Sequence, residues 1–138
     1  MIPWINQYDA AREYFFVEGC FINELANDPR DAQLSVARAR VEPGRTTRWH
    51  KLEGIVERYV VLEGAGRVEV NGMAPTVVRA GDTVTIPAGV PQRIHNCGTV
   101  DLVFLALCTP RFMAQAYIDL EDEAGLRSDG GLDGQDSR

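Results

Sequence analysis

Three polar side chains in the middle of the sequence are of the types that bind metal ions or move protons. His50 carries an imidazole, Glu57 a carboxylate and Gln92 an amide. An imidazole nitrogen and a carboxylate oxygen that converge from adjacent strands can hold a divalent ion, and an amide oxygen is a weaker additional ligand. A His–Glu pair can also satisfy itself by a hydrogen bond and work as an acid–base pair without an ion. These residue types therefore leave both kinds of chemistry open.

Glycine and proline residues stand at fixed distances from these side chains. The first stretch contains Gly44, His50, Glu57 and Gly64, and the second contains Gly81, Pro87, Gly89, Gln92 and Asn96. These spacings resemble the two motifs of the cupin family, G-x5-H-x-H-x4-E-x6-G and G-x5-P-x-G-x2-H-x3-N. Leu52 and Gln92 stand where the family has its second and third metal-binding histidines. The resemblance covers roughly residues 33–110.

The resemblance implies an all-β fold, a double-stranded β-helix or jelly-roll barrel, with a small pocket inside. Typical members hold a divalent transition metal there (Fe, Mn, Ni, Zn or Cu), and the matching positions in this chain are His50, Glu57 and Gln92. The alternatives are an interior His50–Glu57 pair without an ion, and a Gln92 that hydrogen-bonds Glu57 or a ligand. The fold hosts many reactions as well as plain binders, so it does not by itself imply an activity.

Side chains alternate between the two faces of a strand, which places Arg48 and Leu52 on the face of His50 and Tyr59 on that of Glu57. Glu57 and Tyr59 are the candidate catalytic residues, although the residue type favours an aromatic core residue at Tyr59. Arg48 could bind a substrate carboxylate or phosphate, or pair with an acidic residue of the protein. Leu52 would make one wall of the pocket apolar.

Two classes of function fit these residues. The first is a metal-dependent enzyme, oxygenase- or isomerase-like, that acts on a small, partly apolar, anionic metabolite. The second is a metal-free module that binds a small molecule through His50, Glu57 and Gln92. The replacements at Leu52 and Gln92 favour the second class, whereas the intact His50, Glu57 and motif glycines favour the first. Whether the protein is an enzyme is left open.

Short apolar runs between glycine and proline turns predict many antiparallel strands. We predict strands at 15–23, 33–41, 46–52, 56–63, 66–70, 76–79, 83–86, 91–95 and 100–108. The spacing of apolar residues in 4–14 allows a short N-terminal helix.

Residues 1–121 would form one domain. The acidic tail 122–138 has few large apolar residues, so the sequence predicts that it is flexible.

The composition describes an ordinary water-soluble chain of 138 residues, with 45% hydrophobic and 25% charged residues. A net charge of −6 disfavours nucleic acid and anionic membrane as partners. No apolar run is long enough for a membrane span, and the N-terminus does not look like a secretory signal. Three cysteines without a C-x-x-C pair favour reduced thiols and a cytoplasmic location.

The apolar strand 15–23 predicts a homodimer, unless a terminal segment covers it.

Overall fold

The computed structural model describes residues 1–121, and the tail 122–138, for which flexibility is predicted, lies outside the described residues. The strands are β1 (Tyr14–Phe16), β2 (Cys20–Ala26), β3 (Ser35–Val41), β4 (His50–Leu52), β5 (Val56–Glu63), β6 (Ala65–Val70), β7 (Thr76–Arg79), β8 (Thr83–Ile86), β9 (Gln92–Asn96), β10 (Leu102–Thr109) and β11 (Tyr117–Asp119). Helix is limited, among these residues, to two 3-10 turns at Ala10–Arg12 and Ala114–Ala116. The helix allowed by the spacing in 4–14 is therefore reduced to a single turn.

The strands form two antiparallel sheets that face each other, as expected for a cupin barrel. One sheet has the order β1-β2-β3-β10-β5-β8, and the other has the order β11-β4-β9-β6-β7. Because side chains alternate, every second residue of each strand points into the space between the sheets. Within residues 1–121, no helix is long and apolar enough to cross a membrane.

The core between the sheets is built from these alternating inward positions. On β5, Tyr59 and Val61 are each only 1% exposed, and Phe104 of β10 and Ile94 of β9 are equally covered. Tyr59 packs on Phe104 with ring centroids 4.3 Å apart. The aromatic and branched side chains fill one part of the interior, so that polar inward residues at the other end of the same strands can surround a cavity.

Two glycines show why the chain turns where it does. Gly64 between β5 and β6 has φ +81°, and a Cβ there would lie 2.6 Å from the Asp101 carbonyl oxygen. Only glycine fits this turn, since a side chain would meet both backbone strain and a backbone oxygen. Gly19 has φ +101° and divides the predicted strand 15–23 into β1 and β2, which pair as a hairpin.

Candidate functional site

The strand register brings the motif side chains into the interior from opposite sheets. His50 of β4 is the direct partner of Gln92 of β9. Glu57 of β5 is the partner of Cys108 of β10 in the facing sheet. His50 and Gln92 are each 1% exposed, while Glu57 is half-buried. The two sheets thus present an imidazole, an amide and a carboxylate to the same end of the barrel.

A chain of hydrogen bonds joins the sheets through Gln92. The Tyr59 hydroxyl donates to Oε1 of Gln92. The Gln92 Nε2 then donates to Oε1 of Glu57 over 2.6 Å. Because Tyr59 occupies the amide oxygen, the amide nitrogen is the atom that faces Glu57. Tyr59 therefore fills the core and also fixes the orientation of Gln92, and a catalytic role of Tyr59 stays a prediction.

Burial raises the pKa of Glu57 to about 7, and the nearby negative charge of Glu18 contributes to the rise. The neighbouring His50 and the hydrogen bond from Gln92 oppose it, because both favour the ionised carboxylate. A carboxyl group with a pKa close to neutral can donate or accept a proton at physiological pH. Glu57 is thus the group in this part of the structure best suited to proton transfer.

The imidazole of His50 is held on three sides. Its Nδ1 lies 2.6 Å from the Arg48 carbonyl oxygen, its Nε2 lies 3.7 Å from Oε1 of Glu18, and its ring stacks on Tyr117 at 4.9 Å. Neither Glu18 nor Tyr117 belongs to the two sequence motifs. Glu18 lies in the β1–β2 turn and Tyr117 begins β11, so both reach the site through pairings between distant parts of the chain.

A cavity opens beside Glu57 at this end of the barrel. Its volume is about 50 Å³, and about 450 Å³ is free of protein atoms when the open solvent around it is included. Acidic, aromatic and small residues line it: Tyr14, Phe16, Glu18, Ile22, Glu24, Ser35, Ala37, Glu57, Ala106, Cys108 and Phe112. The lining comes from the inward face of one sheet, closed by the β1–β2 turn and by the segment after β10. Most of these residues carry no motif signature in the sequence.

Arg48 and Leu52 occupy other positions around the site. The Arg48 Nε donates to Oδ2 of Asp119 over 3.1 Å, and its Nη2 donates to the carbonyl oxygen of Glu121. Leu52 is 4% exposed and packs with Ile55 and Cys108 in a small apolar cluster. Neither side chain lines the cavity. Contact of Arg48 or Leu52 with a ligand stays a prediction.

A divalent transition ion takes lone pairs from several ligands that converge on one point. Across residues 1–121, no group of three or more His, Cys, Asp or Glu side chains is arranged to hold an ion. The Gln92 oxygen accepts from Tyr59, and Leu52 offers only carbon. As arranged, the residues present do not fit such an ion.

Comparisons with known proteins agree with this architecture. The sequence matches the model of the cupin domain over residues 37–108. An uncharacterised protein of Methanocaldococcus jannaschii is 33% identical over 109 residues, which cover 78% of this chain and 86% of that protein. An oxalate-binding protein of Thermotoga maritima is 38% identical over 71 residues, 51% of this chain and 58% of that protein. The crystal structure of a predicted oxalate decarboxylase from Thermotoga maritima aligns with 30% identity and a TM-score of 0.61, over 66% of this chain and 80% of that chain.

Proposed function

We propose, since the chain belongs to the cupin family, that it binds a small organic molecule in the barrel cavity, with Glu57 as the central polar contact and without a resident metal ion. The observation that carries the proposal is the hydrogen-bond chain from Tyr59 through Gln92 to Glu57. Gln92 and Glu57 stand at metal-ligand positions of the family. Gln92 points an amide N–H toward the Glu57 carboxylate, where an ion would need a lone pair. The oxalate-binding relative supports a small-molecule ligand in general.

In this function Glu57 binds the ligand and exchanges a proton with it. As the carboxylate it accepts a proton from a ligand group, and in its protonated form it returns one. Gln92 holds the carboxyl group in place through the 2.6 Å hydrogen bond. Tyr59 acts through Gln92, because its hydroxyl is buried and faces the amide oxygen. His50 and Glu18 set the charge around Glu57.

The test is a ligand screen of the full chain by thermal shift, using small acids, alcohols and amines. Hits should lose affinity in Glu57→Gln and keep it in Glu63→Gln, which removes the same charge from an exposed position on the same strand. Hits that bind both variants alike would overturn the role of Glu57. Elemental analysis of untagged protein tests the second part: stoichiometric metal that is lost in His50→Ala would restore the metal-dependent interpretation.

We also propose that the working form is a homodimer built on the β1 edge. Strand β1 lies at the edge of its sheet, and Phe15 and Val17 remain 46% and 67% exposed there. The terminal segments cover only part of this region, since Phe16 packs on Phe112 and Tyr117 while its neighbours stay open. A two-fold copy would bury the exposed apolar side chains.

A further inference from the structure

The cavity has a strongly one-sided charge. Three carboxylates, those of Glu18, Glu24 and Glu57, belong to its lining. Within the part of the chain that the structure describes, no lysine or arginine side chain lines it. A ligand in this space therefore meets negative charge from both the β1–β2 hairpin and β5.

The cationic groups closest to the motif are engaged elsewhere. Arg48 forms ion pairs with Asp119 at 3.1 Å and with Glu121 at 3.9 Å. Lys51 pairs with Glu53 at 3.0 Å on the outside of β4. His50 can carry a positive charge next to the cavity carboxylates, with its Nε2 3.7 Å from Oε1 of Glu18. Because the lining contributes Glu18, Glu24 and the partly ionised Glu57 but no lysine or arginine among residues 1–121, an added anion would be repelled.

Aromatic rings form part of the remaining lining of the cavity. Tyr14, Phe16 and Phe112 belong to the lining, and Phe16 meets Phe112 edge to face at 6.4 Å. Ring faces attract cations as well as apolar groups.

We infer that the natural ligand is a small organic cation, a protonated amine with a short apolar body, and not a dianion of the oxalate type. The inference rests on the proposed function, because it assigns the charge of the molecule that the cavity binds. The ammonium group lies between Glu18 and Glu57, and the apolar body lies against Phe16 and Phe112. Its N–H donors match the acceptor oxygens of Glu18 and Glu57, whereas oxalate would find carboxylates in place of donors.

The experiment uses four probes of similar size: propylamine, propan-1-ol, propanoate and oxalate. Each is titrated into the 15N-labelled full chain, and amide chemical-shift changes give a Kd into the millimolar range. Propylamine should bind about tenfold or more tightly than propanoate or oxalate, the effect of one charge-assisted contact. Glu18→Gln and Glu57→Gln should each weaken propylamine about tenfold more than they weaken propan-1-ol, whereas Glu63→Gln, the exposed control, should affect neither.

The outcomes separate this inference from the proposed function beneath it. Propanoate or oxalate could bind as tightly as propylamine, and Glu57→Gln could abolish that binding. This result would overturn the inference of a cationic ligand and leave the proposed binding function intact. Propylamine bound equally well by the parent and both glutamine variants would also overturn it. If none of the four probes binds and the wider screen gives no ligand, the inference and the proposed function both fail.

Discussion

The raised pKa of Glu57 makes a direct prediction about stability and pH. The pKa is about 7 in the folded protein, against an ordinary value of 4.5 that the unfolded chain retains. Between these two values the folded state binds more protons than the unfolded state. The free energy of unfolding therefore falls as pH rises through this window, and the contribution of Glu57 is fully present below pH 4.5. Replacing Glu57 with glutamine, which resembles the protonated acid, should remove this pH dependence.

The size of the effect follows from the same two values. A rise from 4.5 to about 7 corresponds to about 3 kcal/mol, at about 1.4 kcal/mol for each factor of ten in proton affinity. Glu57 is half-buried beside an open cavity. Water in the cavity screens the carboxylate, so we expect about 1–2 kcal/mol in practice. Glutamine at this position can still accept the hydrogen bond from Gln92, which limits other changes.

The assay is urea unfolding at pH 5, 6, 7 and 8, followed by tryptophan fluorescence. The stability of Glu57→Gln minus that of the parent should increase steadily by about 1–2 kcal/mol from pH 5 to pH 8. Groups whose pKa is lowered in the fold, such as Glu13 and Asp28, are present in both proteins and cancel in this difference. Glu63→Gln, exposed on the same strand, should show no such increase. A difference that is independent of pH would refute the raised pKa of Glu57.

Three further outcomes are expected. Tyr59→Phe leaves the Gln92 oxygen buried without its donor, so the free energy of unfolding in urea should fall by about 1–3 kcal/mol. An unchanged midpoint would mean that the Tyr59 hydroxyl does not hold the Gln92 amide. Leu52→His combined with Gln92→His should raise zinc affinity about tenfold or more in calorimetric titration. No gain in a folded double variant would mean that the two new side chains do not converge on one metal position. Light scattering should give about twice the 15.3 kDa mass of one chain, and Val17→Glu should halve it; a monomeric parent would rule out the dimer.

The sequence was most informative where local patterns decide structure. The motif glycines and the alternation around Glu57 placed β5 at 56–63, the bounds that the structure shows. Asn96 and Gly98 form a similarly local turn, in which the Asn96 Oδ1 accepts from the Gly98 amide at 2.8 Å. In both cases the controlling contacts lie within a few residues along the chain, where sequence patterns act directly.

The sequence was less informative where backbone irregularity or distant pairing decides. Alternation was extended through 46–52, but β4 begins at His50, and Thr47 is buried while Thr46 is exposed. The inward direction inferred for Arg48 depended on that uninterrupted strand. Glu18 and β11 reach the site only by pairing between distant parts of the chain. The spacing of residues within a short stretch of sequence does not predict such a pairing.

The mouth of the cavity is made by residues outside the stretch that defines the family. Tyr14, Phe16 and Glu18 precede the matched region 37–108, and Phe112 follows it. These four positions lie outside the motif strands and their turns. A lineage could therefore exchange one ligand for another through its two terminal segments while the barrel between them stays constant. Proteins of this kind that bind different ligands would then differ in sequence mainly near their two ends.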